Sequence, residues 1–227
     1  ELPKTPLGNW TFWGAQRGGD NLMMVYWLYN ITGEPFLLEL GELIHKQTFN
    51  WTDVFLNQDH LSRQLSMHCV NLAQGFKEPV VYYQQNKEQK QIDAVKKAVI
   101  DIRRTIGLPT GLWGGDELLR FGEPTTGSEL CTAIEMMFSL EEMLEITGDV
   151  QWADYLERVA YNALPTQITD GCSARQYYQQ TNQVAATREW RAFTTPHDDT
   201  DVIFGELNGY PCCTSNMHQG WPKLVQN

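Results

Sequence analysis

Apolar positions between Asp20 and Thr32 are spread nearly all round a helical projection, which is typical of a helix that faces the interior of a domain. Gly33 predicts the end of this helix, since glycine is the preferred residue just after a helix C-terminus. Pro35 then suits the first turn of a second helix, in which Leu37 and its periodic apolar partners mark only one face. The pattern therefore predicts a helical hairpin with a buried inner helix and an amphipathic outer helix.

The same arrangement recurs along the chain. Residues 146–149, Ile-Thr-Gly-Asp, repeat the Ile-Thr-Gly-Glu of residues 31–34, and an apolar stripe at helical spacing follows over residues 152–163. A more degenerate copy runs over residues 80–106. Helical hairpins repeated at roughly 55 to 60 residues predict a curved α/α array or toroid. A further helix is predicted for residues 61–76.

Two stretches interrupt this helical pattern. Residues 107–127 are rich in glycine and proline, and they predict a long loop that carries Asp116-Glu117. After the last helical stripe, residues 175–179 and 186–193 predict the two strands of a small β-hairpin. The acidic residues 197–201 favour a solvated turn, with a cation site as the alternative.

Charge and composition narrow the expected partners. The chain has 17 Lys and Arg against 28 Asp and Glu, for a formal net charge of −11, so it repels phosphate backbones and is not expected to bind nucleic acid. No apolar run reaches about 18 residues, so no membrane partner is expected. Five cysteines are an odd number, unlike a disulfide-dense secreted scaffold. Eight Trp, nine Tyr and nine Phe suit a sugar-binding pocket and an ordinary aromatic core equally well.

The candidate chemistry centres on the vicinal cysteines Cys212-Cys213. Adjacent thiols do not readily bridge each other, because a disulfide requires Cα atoms roughly 4.4 to 6.8 Å apart and favourable dihedrals. Upstream, Glu129 and Cys131 add a carboxylate and a third thiol, and three sulfurs with one oxygen complete a tetrahedral shell for zinc. The spacing differs from that of zinc fingers, so the fold would have to assemble the site. The alternative is that these are reduced, buried cysteines that act as small apolar residues.

Glu129 also has a purely structural interpretation. Thr126-Gly-Ser-Glu129 matches the S/T-x-x-E capping box that opens a helix, in which the glutamate bonds back to the backbone. Cys131 would then lie in the first turn, where the helix dipole favours a thiolate. Because a thiolate is also the form that binds metal, capping and metal binding are not exclusive.

Short motifs that carry chemistry span nearly all of the chain from about Asp20. They are His68-x-Val70-Asn71, Gly115-Asp116-Glu117, Glu129-x-Cys131, Glu157-Arg158-x-x-Tyr161-Asn162-x-Leu164 and Cys212-Cys213-x-x-Asn216. In order and approximate spacing this set resembles the zinc-dependent cysteine glycosidases, the β-L-arabinofuranosidases of glycoside hydrolase family 127 and their relatives. Each motif alone is weak, whereas the joint pattern is specific. The resemblance implies a mainly α fold that is part of an (α/α)6 barrel, a helical-hairpin toroid, with a small β-hairpin insertion.

The resemblance also implies a mechanism. Zn2+ would be held by Glu129, Cys131, Cys212 and Cys213. Cys212 would be the nucleophile and Glu117 the general acid/base of a retaining hydrolysis that passes through a thioglycosyl intermediate. The implied partner is a carbohydrate ending in a sugar such as β-L-arabinofuranose. The loop after Glu117 is shorter than the common family form, which leaves Asp116 as a rival acid.

Three further residues match positions that line the sugar pocket in that family: His68, Glu157 and Tyr178. Tyr177 is an alternative to Tyr178, because the segment after Asp170 is slightly longer here. Each has an ordinary structural interpretation as well: His68 as a satisfied core histidine, Glu157 as the partner of a nearby arginine, and Tyr178 as hairpin packing.

The length of the chain limits how many hairpins of such a barrel it can contain. A closed barrel of six hairpins at this repeat length needs roughly 350 to 400 residues, against the 227 of this chain. We therefore expect residues 1–227 to be a single catalytic-barrel segment without the N-terminal hairpins and the C-terminal β-sandwich domains of the family. A start at Glu1 rather than Met fits either a removed signal peptide or a piece of a longer protein. The exposed inner helices would be covered by the missing domains or by self-association.

Two other functions fit the sequence. One is a non-catalytic α/α carbohydrate-binding or scaffold domain with structural zinc, which would be favoured if Glu117 pointed away from Cys212. The other is an α/α-toroid lyase or unsaturated-glycuronyl hydrolase that uses carboxylates or a His/Tyr pair without metal.

Overall fold

The computed structural model describes residues 2–9, 11–57 and 66–226, and helices dominate it. Part of the helix predicted for residues 61–76 lies outside the described residues at positions 61–65, and its later part forms α5. The helices are, in chain order, α1 (Phe12–Gln16), α2 (Gly18–Thr32), α3 (Phe36–Gln47), α4 (Trp51–Leu56), α5 (Cys69–Gly75), α6 (Lys77–Asn86), α7 (Lys90–Thr105), α8 (Leu130–Thr147), α9 (Val150–Asn162), α10 (Cys212–Met217) and α11 (Gly220–Gln226). Single 3-10 turns occur at Leu7–Asn9 and Pro165–Gln167.

The repeated hairpins are α2–α3, α6–α7 and α8–α9, and each pair packs side by side. Gly33 and Gly148 end the first helices of two hairpins with φ of 70° and 65°, a left-handed conformation that glycine adopts without steric cost. In the degenerate copy Lys87 occupies the same place with φ 55°. The predicted helical repeat is therefore present, and its three turns share one backbone conformation.

Helix α8 is the centre of the fold, because it packs against α5, α6, α9, α10 and α11. Its surface is apolar nearly all round, as expected for a helix with neighbours on most sides. Most of its side chains are buried, and they include Leu130, Ala133, Ile134, Met136, Met137, Leu140 and Met143. Burial of each Leu, Ile or Met side chain stabilises the fold by about 1.5 to 3 kcal/mol. The N-terminus of α8 is thereby fixed within the core, together with Cys131 in its first turn.

A small sheet lies beside the N-terminus of α8. Its two-residue strands are β1 (Gly115–Asp116), β2 (Leu118–Leu119), β3 (Ser128–Glu129) and β4 (Tyr178–Gln179), in the order β2-β1-β3-β4. The hairpin predicted between residues 175–179 and 186–193 is wrong, because β4 pairs antiparallel with β3 and residues 186–193 form no strand. Those later residues are largely exposed and offer no apolar face to a partner strand. The observed hairpin is β1–β2, with Glu117 at its turn.

One face of α2 is exposed, unlike the rest of this helix. Met24, Trp27, Leu28 and Ile31 follow at helical spacing, and each exposes 40% of its surface or more. The expectation that further hairpins or self-association cover inner helices fits this stripe and stays a prediction. None of the helices in the described part of the chain is long and apolar enough to cross a bilayer.

Candidate active site

A cavity of about 790 Å³ lies where the N-terminal ends of α5, α8 and α10 meet the small sheet. His68 comes directly before α5, Cys131 lies in the first turn of α8, and Cys212 begins α10. All three line the cavity together with Glu117 and Glu129. Residues far apart in the chain thus share one space of the size that small-molecule sites have.

The four predicted metal-binding residues converge on one side of this cavity. The donor atoms of Glu129, Cys131, Cys212 and Cys213 all lie within 4.8 Å of one another. The sulfurs of Cys131 and Cys213 are 3.3 Å apart, and Glu129 Oε1 lies 3.9 Å from Cys212 Sγ and 3.7 Å from Cys213 Sγ. A cluster of this composition could hold a metal ion.

The capping box predicted for Glu129 is not formed. Glu129 is itself the residue that precedes α8, rather than the third residue inside the helix, and its side chain makes no capping hydrogen bond. Its backbone instead pairs with Tyr178 in the sheet, which directs the carboxylate into the cysteine cluster. Glu129 is 1% exposed, so the burial of this carboxylate is explained by the cluster and not by the helix end.

Glu117 faces the cluster from the turn between β1 and β2. Its φ of 73° is unusual for a residue with a side chain, and such backbone strain concentrates at functional sites. The carboxylate accepts hydrogen bonds from the hydroxyls of Tyr177 at 2.6 Å and Tyr178 at 3.2 Å. Tyr177 also lies 3.8 Å from Cys212 Sγ, so one phenol hydroxyl contacts both the carboxylate and the sulfur.

His68 holds the second oxygen of the Glu117 carboxylate. The backbone N–H of Val70 donates to His68 Nδ1 at 3.2 Å, which leaves the ring proton on Nε2. Nε2 lies 3.0 Å from Glu117 Oε2 and donates to it. His68 therefore orients Glu117 and also lines the cavity, while its own orientation is fixed by the start of α5.

Comparison with known proteins then decides the family. The model of the β-L-arabinofuranosidase GH127 catalytic domain matches residues 11–226, which is nearly the whole chain. The chain belongs to this family. Its fold, mainly α and part of an (α/α)6 barrel, is as the sequence predicted.

Solved structures agree on the fold of this GH127 chain. One titled a glycoside hydrolase has a TM-score of 0.60 at 19% identity over 89% of this chain, and a GH127 β-arabinofuranosidase has a TM-score of 0.58 at 18% identity over 89%. A sugar epimerase from a ruminal bacterium has a TM-score of 0.52 at 12% identity over 76%. The chain covers 38%, 32% and 49% of these three structures, respectively. No curated protein matched it.

The rival acid, Asp116, faces away from the cavity of the GH127 chain. Arg120 Nε lies 3.0 Å from Asp116 Oδ1, and the backbone N–H of Thr194 donates to Oδ2. Asp116 is 2% exposed and its side chain is occupied by these partners. Asp116 is thus held outside the cavity by its own partners, and it is not a candidate acid.

Two of the three predicted sugar contacts, Glu157 and Tyr178, do not line this cavity. Glu157 is exposed on α9, because the buried face of that helix carries Trp152, Tyr155 and Val159, and Glu157 does not line the cavity. The cavity receives Glu135 instead, one helical turn after Cys131, a spacing of four that the sequence already contained. Tyr178 donates to Glu117 without lining the cavity, whereas Tyr177, the stated alternative, lines it.

His197 is a further neighbour of the site, and no motif of the sequence indicated it. Residues 197–201 form the predicted turn, with the N–H of Thr200 donating to the His197 carbonyl at 3.1 Å. His197 Nδ1 contacts Asp201 at 2.7 Å, and Nε2 lies 3.8 Å from Glu117 Oε1. Burial lowers the pKa of His197, but the carboxylate of Asp201 outweighs it and raises this pKa overall. These carboxylates thus favour the protonated form of His197 beside Glu117.

Several acidic side chains lie close together in the site and shift one another's pKa values. Burial, with the charges of Glu117 and Cys212, raises the pKa of Glu129 well above its usual value. Hydrogen bonds from Cys131 and Cys213 lower the pKa of Cys212 to about 2, whereas burial raises that of Cys213. Burial also raises the pKa of Glu117, but hydrogen bonds from His68 and Tyr177 lower it by more. Negative charge thus concentrates on Cys212 and Glu117.

A buried arginine holds the segment that leads to Cys212. Arg175 is fully buried, and its guanidinium donates to the carbonyl of Tyr210 at 3.0 Å, to Thr214 Oγ1 at 2.9 Å and to the carbonyl of Asn208. Its backbone also exchanges hydrogen bonds with Gly205. The position of Cys212 therefore depends on the side chain of Arg175, which holds residues on both sides of this cysteine.

Arg175→Met should lower the free energy of unfolding by about 3 kcal/mol, because it leaves buried carbonyls without a donor. Urea unfolding measures the effect, and the exposed Arg104→Met is the control, with an expected change below about 0.5 kcal/mol. Equal stability of the two variants would contradict this assignment.

Proposed function

We propose that this chain is the site-bearing part of a retaining glycoside hydrolase that removes a terminal β-L-arabinofuranose, with Cys212 as nucleophile and Glu117 as general acid/base. The observation that carries the proposal is that Glu117 and Cys212 contact the same hydroxyl, that of Tyr177, across one cavity. Family membership supports the hydrolase class. The sugar is taken from the description of the family, and carbohydrate is accordingly the proposed partner.

Zinc fits the donor set of the cluster. Around a tetrahedral zinc with Zn–S bonds near 2.3 Å, two sulfurs stand roughly 3.8 Å apart. The observed separations of 3.3 to 3.9 Å among the sulfurs and Glu129 Oε1 are close to this value. A cation among these four groups would also favour the charged forms of Glu129 and Cys213, whose pKa values burial raises. Glu129, Cys131, Cys212 and Cys213 would hold the ion.

When bound, zinc would keep the thiols deprotonated at neutral pH and hold the four side chains in place. The chain's own residues would carry the reaction. In the first step the Cys212 sulfur bonds to the anomeric carbon, the glycosidic C–O bond breaks, and Glu117 gives its proton to the departing oxygen. In the second step Glu117 takes a proton from water, the water oxygen bonds to the anomeric carbon, and the C–S bond breaks.

The neighbours of Glu117 suit both steps. Donors from His68 and the two tyrosines favour the carboxylate, which is the form that the second step needs. Entry of a sugar displaces water from the cavity and shifts the balance toward the acid form that the first step needs. A non-catalytic domain with structural zinc would not require Glu117 to face Cys212, so this geometry favours the hydrolase.

Hydrolysis of p-nitrophenyl β-L-arabinofuranoside by the full-length protein tests the proposal. We expect one zinc per chain by metal analysis and a first product of retained configuration by NMR. Hydrolysis with inversion would contradict the two-step mechanism, and full activity in a metal-free preparation would favour the metal-independent toroid enzymes. Absence of activity with stoichiometric zinc would favour the carbohydrate-binding domain.

Cys131→Ser should lower zinc affinity by more than about 100-fold, which exceeds the effect of losing an outer hydrogen-bond partner. The reason is that a serine hydroxyl is a poor replacement for a thiolate in a sulfur-rich zinc site. Competition with a chromogenic chelator measures the affinity, and circular dichroism checks the fold. Unchanged zinc binding would mean that Cys131 is only a small apolar core residue.

A further inference from the structure

A fourth sulfur, that of Cys69, lies against the cluster without belonging to it. Cys69 is the first residue of α5, directly after His68, and it is fully buried. Its sulfur is 3.3 Å from Glu129 Oε2, which is the oxygen opposite the one that faces the other cysteines. A thiol that faces a buried carboxylate at this distance is favourable only as an S–H donor.

The two oxygens of Glu129 are therefore divided between two sets of partners. Oε1 faces the sulfurs of Cys212 at 3.9 Å and Cys213 at 3.7 Å, and Oε2 receives the thiol of Cys69. The terminal torsion of a glutamate is broad, so a carboxylate without an outer partner turns easily. A donor on Oε2 restricts this rotation and keeps Oε1 directed at the cysteines.

The same residue is also tied to the proposed acid/base. The backbone N–H of Cys69 donates to the carbonyl of Glu117 at 2.8 Å. Its side chain is held in place by Gly115, where an added Cβ would come within 2.4 Å of the Cβ of Cys69. Cys69 thus contacts Glu117 through its backbone and Glu129 through its side chain, and it is closely packed against Gly115.

We propose that Cys69 is a positioning residue, whose thiol holds Glu129 in the orientation that binds the metal ion. This inference rests on the proposed function, because it requires that Glu129 bind zinc. Outer partners of metal-binding carboxylates typically contribute about 10- to 100-fold to metal affinity. Cys69 would be such a partner, supplied by the residue next to His68.

Three variants of the full-length protein test the role of Cys69. Cys69→Ala removes the donor, and Cys69→Ser keeps one. Ser139→Ala is the matched control, since Ser139 is buried in α8 and bonds to the Ala73 carbonyl of α5 without contacting the cluster. We expect zinc affinity, measured by chelator competition, to fall by about 10- to 100-fold in Cys69→Ala. Cys69→Ser should stay within a few-fold of wild type, and Ser139→Ala should not change.

The absorption spectrum of the cobalt-substituted protein is a second measurement, and a packing defect alone would not change its bands. The tetrahedral cobalt bands should shift in Cys69→Ala and be restored in Cys69→Ser. The inference is overturned if Cys69→Ala binds zinc as tightly as wild type, or if Cys69→Ser is as weak as Cys69→Ala. If the wild-type protein binds no zinc, the proposed function and this inference are overturned together. If the wild type binds zinc and Cys69→Ala has the same zinc affinity, the inference alone is overturned.

Discussion

Cys212→Ala is expected to lower kcat/KM on p-nitrophenyl β-L-arabinofuranoside by at least about 10⁴-fold, as removal of a covalent nucleophile does in other enzymes. An alanine methyl group cannot attack the anomeric carbon, and the other sulfurs of the cluster are buried. Cys212 alone among the three combines exposure with a pKa lowered to about 2 by its neighbours. Steady-state kinetics on purified full-length protein measure the loss.

The control for this variant is Cys172→Ala. Cys172 is the other exposed cysteine of the described residues, and it lies outside the cavity in a turn after Thr169. Its replacement should leave kcat/KM unchanged. Zinc content is measured in both variants, because three donors remain in Cys212→Ala and some zinc should stay bound. Full activity of Cys212→Ala would rule out the thioglycosyl mechanism.

The helical part of the fold was predictable from local patterns. Gly33 and Gly148 end helices with the left-handed backbone that their sequence positions suggested, and the apolar stripe of α9 is its buried face. The β-hairpin was not predictable in this way, because Tyr178–Gln179 finds its partner 50 residues earlier, in Ser128–Glu129. Strand pairing at such a distance depends on tertiary contacts rather than on local alternation.

For the candidate site, the identities of the residues were predictable from the sequence, whereas their orientations were not. Residue types and the family resemblance were enough to select the four cluster residues, whose donor atoms meet in space, and Glu117, which lines the same cavity as Glu129, Cys131 and Cys212. Orientation was not available from the sequence. Which face of a helix meets the cavity depends on the neighbouring helices, so Glu157 on α9 points to solvent while Glu135 on α8 lines the cavity.

Contacts made through loops were the least accessible to sequence analysis. His197 approaches Glu117 only because the segment after β4 folds back across both tyrosines. Cys69 approaches Glu129 only because Gly115 has no side chain. Neither residue has a sequence spacing that relates it to the cluster, since each depends on the packing of separate elements.

Glu117→Gln should slow the two chemical steps unequally, and this asymmetry identifies the acid/base. Loss of a general acid/base costs about 10²- to 10⁴-fold. p-Nitrophenolate leaves without much help from an acid, so the first step should be slowed least on the nitrophenyl substrate. The second step still requires a base to activate water. The thioglycosyl form of Cys212 should therefore accumulate, and mass spectrometry of the quenched protein should detect one added sugar on the peptide that contains it.

Glu135→Gln is the matched control, because this carboxylate also lines the cavity and accepts a hydrogen bond from Asn216 at 3.1 Å. It should show no accumulated sugar adduct. Azide, which attacks without a base, should restore turnover in Glu117→Gln and have no effect on Glu135→Gln. If both variants lose activity equally on the activated and natural substrates, Glu117 only positions the sugar. Its hydrogen bonds from His68 and Tyr177 would then serve to fix a binding group rather than to tune a proton donor.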